Sequence, residues 1–386
     1  MQIAKLPRVR LANLPTPLQE MPNLSKRLGG PRIFVKRDDL TGVAFGGNKT
    51  RKLEFLMGDA QRNKADVIVV GVQGFQSNHL TQAAAFARKL GMDVVLVKTG
   101  PKDDYEPEEY DGNHLLQFIL GADIRVYEHA PKLEDVAEEL EKKGYTPYII
   151  SLAGSTPIGT VGYLNASLEI LSQTTEMEIK VDYIVHATGG GGTQAGLILG
   201  ARALNTSTKV LGISVFESER TESMTGFVSK LVNDTAQLLD VDLSIGKRDI
   251  TIIDGYSEGY GIINNGKVEA IKLVAQTEGI FLDPVYTGTA MAGLIDLIRK
   301  GYFDKDDNVV FIHTGGNAAL FPYKEPIKSI MKSEEPRWTK PHWGRAQLRP
   351  GYVVFVPPNA MHHFRNNGKQ RARKQSLRFL CFFPYS

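Results

Sequence analysis

The sequence predicts a two-domain α/β protein with parallel sheets flanked by helices and a short β-rich tail. Apolar strand-like runs alternate with helical patterns through most of the chain, as is typical of parallel sheets covered by helices on both faces. The length of 386 residues is sufficient for two packed domains with a substantial core. The composition changes abruptly near Ser333, which indicates a segment appended to the α/β body.

The alternation can be followed element by element. The predicted strands are Asp66–Val72, Asp93–Lys98, Asp123–Tyr127, Pro147–Ser151, Tyr183–Thr188, Val210–Val215 and Val309–His313. The predicted helices are His79–Leu90, Leu133–Lys143, Val161–Ser172, one starting at Thr193, Lys267–Gln276 and Thr289–Arg299. Parallel sheets bind ligands where strands end and helices begin. The loops Gly74–Asn78, Thr188–Thr193 and Thr314–Gly316 are therefore the candidate site.

Composition excludes several classes of protein. Hydrophobic residues make up 42% and charged residues 23% of the chain, as in a soluble globular protein. No apolar run is long enough to span a membrane, and Met1–Arg10 lacks the apolar core of a signal peptide. Cys381 is the single cysteine, which leaves no disulfide framework and no cysteine-based metal site. We therefore expect a cytoplasmic protein without a membrane partner.

The charge is divided unevenly between the body and the tail. Residues 333–386 contain 10 basic and 2 acidic residues, whereas residues 1–332 contain 36 basic and 41 acidic residues. The body is therefore mildly acidic, and nothing in it indicates nucleic-acid binding.

A lysine follows two glycines in Gly46-Gly47-Asn48-Lys49. A partly desolvated lysine amine can condense with an aldehyde cofactor, and glycines let the backbone pass close to a flat ring. Taken alone, the same segment also fits a basic surface loop.

The loop Thr188–Thr193 has four consecutive glycines between a predicted strand and a predicted helix. Exposed backbone amides and the helix dipole make such a loop a cradle for phosphate, although a flexible turn is the simpler alternative. Gly190, Gly192 and Ala195 also fit a dinucleotide fingerprint, with Glu217 as the ribose-binding acid. A nicotinamide oxidoreductase therefore stays open at this point.

Three further positions carry candidate polar groups. Ser77 stands at a predicted helix start, where it can cap the helix or help to bind a carboxylate. Tyr286 can donate a proton or serve as an amphipathic core residue. His313 follows a buried strand, and we interpret it as an interior histidine with its hydrogen bonds satisfied.

Considered together, these motifs resemble the fold-type II pyridoxal-phosphate enzymes. Within that group the chain is similar to the family of D-cysteine desulfhydrase, L-cysteate sulfo-lyase and 1-aminocyclopropane-1-carboxylate deaminase. The resemblance covers about residues 5–325 in order, and its segments include IFVKRDDLTGVAFGGNKTRKLEFL, QSNH, GNHLLQFILGA, STPIGTVGYLNASLEI, HATGGGGTQAGL, EGIFLDPVYTG and VVFIHTGGNAALF.

The resemblance implies a fold like that of the tryptophan synthase β-subunit. Residues 1–50 and 157–332 would form a large domain, and residues 51–156 a small one. Pyridoxal 5'-phosphate would lie between the two domains, and the enzyme would be a homodimer.

The resemblance also implies roles for individual residues. Lys49 would hold the cofactor, and Lys52 with the glycine-rich loop would bind its phosphate. Ser77 would act as the acid/base residue, and together with Asn78 and His79 it would bind the substrate carboxylate. The catalytic set would be Lys49, Ser77, Tyr260 and Tyr286. The cofactor-binding set would be Lys49, Lys52, Asn78, Thr188, Gly189, Gly190, Gly191, Gly192, Thr193, Thr287 and Thr314.

Two positions separate activities within the family. Deaminases resemble one another in having Glu and Leu where this chain has Thr287 and Thr314, which is the desulfhydrase pattern. A carboxylate beside the pyridine nitrogen favours its protonated form, whereas a hydroxyl does not. The chain departs from the family in having Thr81 where Arg is common and Thr289 where Lys is common.

We therefore expect a carbon–sulfur lyase that acts on a small amino acid by α,β-elimination, releasing pyruvate, ammonia and sulfide or sulfite. L-cysteate sulfo-lyase and then the cyclopropane deaminase are the alternatives within the family. A nicotinamide oxidoreductase and a non-enzymatic ligand-binding protein are the alternatives outside it.

The tail resembles the second signature motif of cupins at Gly351, Pro357, Asn359, His362 and Asn366. The metal-binding first motif of cupins is absent, so we expect no metal there. The tail is predicted to be half of a cupin-like barrel that is dispensable for the chemistry.

Overall fold

The computed structural model describes residues 2–74, 76–99 and 110–333. The predicted tail lies outside these residues apart from its start, so its cupin-like character stays a prediction. In the part of the chain that is described, no helix is both long and apolar enough to cross a bilayer.

Ten strands form two sheets in the described residues. In chain order they are β1 (Leu18–Glu20), β2 (Arg32–Lys36), β3 (Val67–Gln73), β4 (Asp93–Thr99), β5 (Asp123–Tyr127), β6 (Pro147–Ile150), β7 (Tyr183–Thr188), β8 (Lys209–Ser214), β9 (Thr251–Ile253) and β10 (Asn308–Ile312). One sheet has six strands in the order β1-β2-β10-β7-β8-β9, and the other has four in the order β5-β4-β3-β6. All neighbours are parallel except β1, which pairs with β2 in the antiparallel sense.

Eleven α-helices connect and cover these strands in the same part of the chain. They are α1 (Pro22–Leu28), α2 (Asn48–Arg62), α3 (Asn78–Lys89), α4 (Gly112–Ile119), α5 (Leu133–Glu141), α6 (Pro157–Glu176), α7 (Gly192–Ala203), α8 (Thr221–Leu238), α9 (Asn265–Glu278), α10 (Thr287–Arg299) and α11 (Lys324–Ser333).

The six-stranded sheet is buried on both faces. Successive residues of a strand point to opposite faces, so Val309 packs in one core cluster and Val310 in the other. Helices α1, α9 and α10 contribute to the first cluster, and helices α6, α7 and α8 to the second. This double burial explains why the central strands are continuous apolar runs.

The four-stranded sheet is built in the same way. Ile68 and Val70 pack against α2 and α3, whereas Val67 and Val69 pack against α5. The predicted α/β class with helix-flanked parallel sheets is therefore confirmed. The four-stranded sheet uses residues 67–150, and the division at residues 50/51 and 156/157 stays a prediction.

Candidate active site

A cavity of about 580 Å³ lies where helices α2, α3 and α7 begin. Most of the predicted site residues line it, as expected for loops that follow parallel strands. These are Lys49, Lys52, Ser77, Asn78, His79, Thr188, Gly189, Gly190, Gly191, Thr193, Tyr260, Tyr286 and Thr314.

Lys49 lies in the first turn of α2, two residues after the glycine pair Gly46-Gly47. Gly47 has a φ of +136° and forms a bridge with Gly315, and the backbone N–H of Asn48 donates to the carbonyl of Thr314 at 3.0 Å. A Cβ atom at Gly47 would lie 2.9 Å from that carbonyl oxygen. The glycine pair is therefore needed for two chain segments to pass at contact distance.

The amine of Lys49 is partly desolvated at the cavity wall. Its Nζ donates to the side-chain oxygen of Asn48 at 3.2 Å and lies 6.0 Å from the ring centre of Tyr286. Burial lowers the pKa of Lys49 to about 8, against the opposing charge of Asp283. An appreciable fraction of the amine is then unprotonated near neutral pH, which suits it to attack a carbonyl.

A buried ionic network fixes α2 against the six-stranded sheet. Arg51 donates to Asp38 through Nε at 2.8 Å and Nη2 at 2.7 Å, and it also donates to Glu169. The hydroxyl of Tyr163 donates to Asp38 as well. Burial disfavours the Asp38 anion, yet Arg51 holds the pKa of Asp38 below its usual value. The ion pairs of Arg51 therefore fix the orientation of the helix that carries Lys49, two residues before Arg51.

The glycine-rich loop ends β7 and starts α7 without a side-chain cap. Gly191 has a φ of +77°, which favours glycine. A Cβ atom at Gly192 would lie 2.8 Å from the Nζ of Lys52 and 2.9 Å from the Oγ of Ser155. The loop therefore leaves room for a ligand beside a lysine amine and an uncapped helix start, which together favour an anion.

Lys52 is buried next to this loop. Burial, and then the neighbouring charge of Lys49, lower the pKa of Lys52 well below its usual value. Its Nζ donates to the Oγ of Ser155 at 3.3 Å. A phosphate bound next to Lys52 would stabilise its charged form, which burial and Lys49 disfavour. The environment of Lys52 therefore fits a site that binds an anion.

Ser77 both caps a helix and lines the cavity. Its Oγ accepts from the backbone N–H of Leu80 at 3.3 Å, so the capping interpretation of this residue is correct. The side-chain oxygen of Asn78 accepts from the amide of Asn113 at 2.7 Å. The junction between β3 and α3 is therefore held both by its own serine and by α4.

His79 presents an unusual pair of ring nitrogens. Neither Nδ1 nor Nε2 has a hydrogen-bond partner among the described residues, although the side chain is buried. Burial, with the charges of Lys49 and Lys52, lowers the pKa of His79 well below its usual value. Buried polar atoms are rarely left unpaired, so a neutral His79 at this wall fits a site that takes a polar ligand.

Two tyrosines form the opposite wall. The hydroxyl oxygens of Tyr260 and Tyr286 lie 2.9 Å apart, and their rings meet edge to face. Burial raises the pKa of Tyr260 and raises that of Tyr286 well above its usual value. Both phenols are therefore neutral near pH 7, and because one hydroxyl donates to the other, the pair retains one free O–H donor.

Two predicted contacts do not line the cavity. Thr287 is fully buried and its Oγ1 donates to Asp283 at 2.7 Å, and Gly192 is the first residue of α7. Asp283 also accepts the backbone N–H groups of residues 285, 286 and 287. It thereby fixes the start of α10 and the position of Tyr286.

His313 is an interior histidine, as predicted. Its Nε2 lies 2.7 Å from the carbonyl oxygen of Phe281, and its Nδ1 accepts from the backbone N–H of Gly315 at 3.2 Å. Both ring nitrogens are thus used in holding the chain that faces the glycine pair before Lys49.

Sequence reasoning missed part of the cavity wall. His186 lines it from the middle of β7, and burial lowers the pKa of His186 to about 4. Phe216, Arg220 and Phe227 line it after β8. Their position after a parallel strand was the available signal, and we used it only for Glu217.

The described residues contain no set of side chains suited to binding a metal ion. Within residues 2–74, 76–99 and 110–333, no group of three or more His, Cys, Asp or Glu side chains is placed to hold a metal ion.

The cavity thus combines a partly desolvated lysine amine, a glycine-rich helix start beside a second lysine, and a pair of hydrogen-bonded phenols. The model of the family described as "Pyridoxal-phosphate dependent enzyme" matches residues 9–315. The chain belongs to that family, and pyridoxal phosphate is its cofactor. The dinucleotide interpretation of the glycine loop and the non-enzymatic alternative are therefore wrong.

Curated relatives and a solved structure agree with this membership. A "Putative 1-aminocyclopropane-1-carboxylate deaminase" of Pyrococcus furiosus is 45% identical over 336 residues, covering 85% of this chain and 98% of the relative. A "D-cysteine desulfhydrase" of Klebsiella pneumoniae is 40% identical over 328 residues, covering 83% and 97%. The crystal structure of an "ACC deaminase homologue" is 42% identical with a TM-score of 0.77, covering 85% and 97%.

Proposed function

We propose that the enzyme removes the sulfur substituent from a small amino acid by α,β-elimination, with D-cysteine as the first candidate and L-cysteate as the second. The products would be pyruvate, ammonia and sulfide or sulfite. The observation that carries the proposal is the Lys49 amine, with its pKa lowered to about 8, in a cavity shared with Ser77 and the tyrosine pair.

Residues of the chain can be assigned to the cofactor's two ends. Lys49 would bond its aldehyde carbon, while Lys52 and the uncapped start of α7 would hold its phosphate. When bound, pyridoxal phosphate supplies a ring that takes up the electron pair left when Cα loses its proton.

The remaining residues would handle the substrate. The start of α3, with Asn78 and His79, would bind the carboxylate, because its backbone amides and the unpaired imidazole offer donors. Lys49 or Ser77 would take the Cα proton. The Tyr260–Tyr286 pair, neutral near pH 7, would donate a proton as the bond from Cβ to sulfur breaks.

The threonines at positions 287 and 314 support elimination over ring opening. Thr314 lines the cavity, whereas Thr287 does not and its hydroxyl is bonded to Asp283. Among the described residues that line the cavity, Glu217 is the only acid, and its side chain is exposed. Without a carboxylate to keep the pyridine nitrogen protonated, the electron sink is weaker, which suffices when a good leaving group departs.

Ring opening by a cyclopropane deaminase is the alternative to elimination from a sulfur amino acid. It is favoured by the 45% identity to the Pyrococcus furiosus relative, whose name carries that activity. The two activities differ in product: elimination from cysteine yields pyruvate, and ring opening of the cyclopropane amino acid yields 2-oxobutyrate.

The test offers D-cysteine, L-cysteate, D-serine and 1-aminocyclopropane-1-carboxylate to the purified holoenzyme and measures both keto acids. We expect the fastest release from D-cysteine or L-cysteate, and loss of both turnover and the visible cofactor band in Lys49→Ala. Lys26→Ala, at an exposed lysine of α1, is the matched control and should keep both. Fast release of 2-oxobutyrate would overturn the proposal in favour of the deaminase, and turnover of none of the four would end it.

A further inference from the structure

The loop that carries Tyr260 is short and rich in glycine. It runs between β9 and α9, and Gly261 has a φ of +81°. Glycine costs the most conformational entropy to order, so this loop needs an external restraint to hold a tyrosine at a fixed point.

Lys267 supplies such a restraint from the first turn of α9. Its side chain is fully buried, and its Nζ donates to the Oγ of Ser257 at 3.1 Å and to the carbonyl of Ile262 at 2.6 Å. These two acceptors lie on either side of Tyr260 in the loop. The hydroxyl of Ser257 in turn donates to the carbonyl of Gly259 at 2.9 Å, next to Tyr260.

The position of this lysine is electrostatically costly. A cation in the first turn of a helix opposes the helix dipole, and burial adds a desolvation cost. Burial lowers the pKa of Lys267, while the charges of Glu258 and Asp283 oppose that effect. A group held at such a cost is best explained by the two loop contacts that an apolar side chain cannot make.

The restraint extends to the second tyrosine. Tyr260 meets the hydroxyl of Tyr286, and Asp283 holds the backbone N–H of Tyr286 at 2.8 Å. Lys267 on α9 and Asp283 before α10 therefore hold the two halves of the phenol pair, and neither lines the cavity.

We propose that Lys267 is a positioning residue that holds Tyr260 in hydrogen-bond distance of Tyr286, an assignment whose catalytic consequence rests on the proposed function. The side chain acts through the loop 257–262 and not on the substrate.

The first experiment measures amide hydrogen exchange of the holoenzyme by mass spectrometry. In Lys267→Met, which keeps the length and loses both donors, the peptide spanning residues 255–263 should exchange about tenfold faster, because its opening is no longer restrained. The peptide containing the glycine loop 189–193 should be unchanged. Ser257→Ala removes one of the two acceptors and should increase the exchange rate of the same peptide by a smaller factor. Val274→Ala, a buried core change on α9, is the matched control and should leave the peptide unchanged.

The second experiment compares turnover in a double-mutant cycle. Lys267→Met should lower kcat about tenfold with little change in KM, as expected from a misplaced group. In a Tyr260→Phe background the same change should have almost no further effect, since its target hydroxyl is gone.

Unchanged exchange in both Lys267→Met and Ser257→Ala would overturn the proposal, as would losses in kcat that add in the double variant. The exchange measurement needs no substrate. It therefore still decides the role of Lys267 if the wild-type enzyme turns over none of the amino acids offered.

Discussion

The two strand-to-helix junctions at the cavity share the same topology but differ in the residue that caps the helix. Both follow a central strand of a parallel sheet, β3 in one case and β7 in the other. At the start of α3, Ser77 caps the helix with its own hydroxyl. At the start of α7, Gly191 stands at the cap position and offers no side chain.

This difference separates two kinds of anion binding. The start of α7 has no side chain at its cap position; the N–H of Gly192 donates to Ser155 at 3.1 Å, and the helix dipole and the Lys52 amine favour an anion beside it. The start of α3 uses one backbone N–H in its own cap and adds the side chains of Ser77, Asn78 and His79 to the backbone donors that remain. The first arrangement suits a phosphate that stays bound, and the second suits a substrate carboxylate that must enter and leave.

Closing the open junction should have the largest effect. Gly192→Ala places a Cβ atom 2.8 Å from the Nζ of Lys52 and 2.9 Å from the Oγ of Ser155, so it should displace the amine that we assign to the phosphate. We expect the dissociation constant of pyridoxal phosphate to rise at least about a hundredfold, near 3 kcal/mol. Titration of the apoenzyme with cofactor, followed by absorbance, measures it. Gly266→Ala is the matched control, since its Cβ atom would meet nothing closer than 3.7 Å. Equal cofactor affinity in the two variants would contradict the assignment of the loop to phosphate.

Opening the capped junction should have a smaller effect of a different kind. Ser77→Ala removes the cap of α3 and should cost about 1 kcal/mol of unfolding free energy. If Ser77 also moves a proton, kcat should fall about a hundredfold while cofactor affinity stays within a few-fold of wild type. Steady-state kinetics and the same cofactor titration separate the two effects.

Thr156→Ala is the control for the cap alone. Thr156 caps α6 through the backbone N–H of Gly159, also at 3.3 Å, and does not line the cavity. It should lose similar stability and keep its turnover. A Ser77→Ala enzyme that behaves like Thr156→Ala would reduce Ser77 to a helix cap.

The glycine junction was predictable from the sequence and the polar junction only in part. Four glycines between a strand and a helix have few uses, so Thr188–Thr193 was identified as an anion cradle from the sequence alone. The helix that carries Lys49, α2, was not predicted from the sequence. Its buried face includes Arg51, Lys52 and Glu54, and charged residues inside hide the apolar periodicity on which helix prediction depends.

Contacts between residues far apart in the sequence could not be predicted either. The residues that hold the QSNH motif lie on α4, more than 30 residues away, and Lys267 looks like an ordinary polar residue of an amphipathic helix. Periodicity reports which face of a helix is buried, but not which polar atom meets which. The family resemblance implies which residues would contact ligands, and only the structure identifies those that hold these residues in place.

The smallest expected effect comes from the outer support of the capped junction. The side-chain amide of Asn113 donates to the side-chain oxygen of Asn78 at 2.7 Å and to the carbonyl of Gln76 at 3.3 Å. Asn113→Ala removes both bonds and leaves Ser77 and its cap untouched. Because each such bond contributes about 1 kcal/mol, kcat/KM should fall about five- to tenfold, mainly through KM if the start of α3 binds the carboxylate.

The matched control for this change lies on α8, away from the cavity. Asn233 clamps a loop in the same bidentate way, donating to the carbonyl of Ile245 at 3.0 Å and accepting from its N–H at 2.9 Å. Asn233→Ala should lose comparable stability with an unchanged KM, because neither Asn233 nor Ile245 lines the cavity. Comparing Asn113→Ala with Asn233→Ala therefore separates a general loss of stability from an effect on substrate binding. If their KM values match, the junction at α3 is rigid without α4, and the capped helix start holds its own geometry.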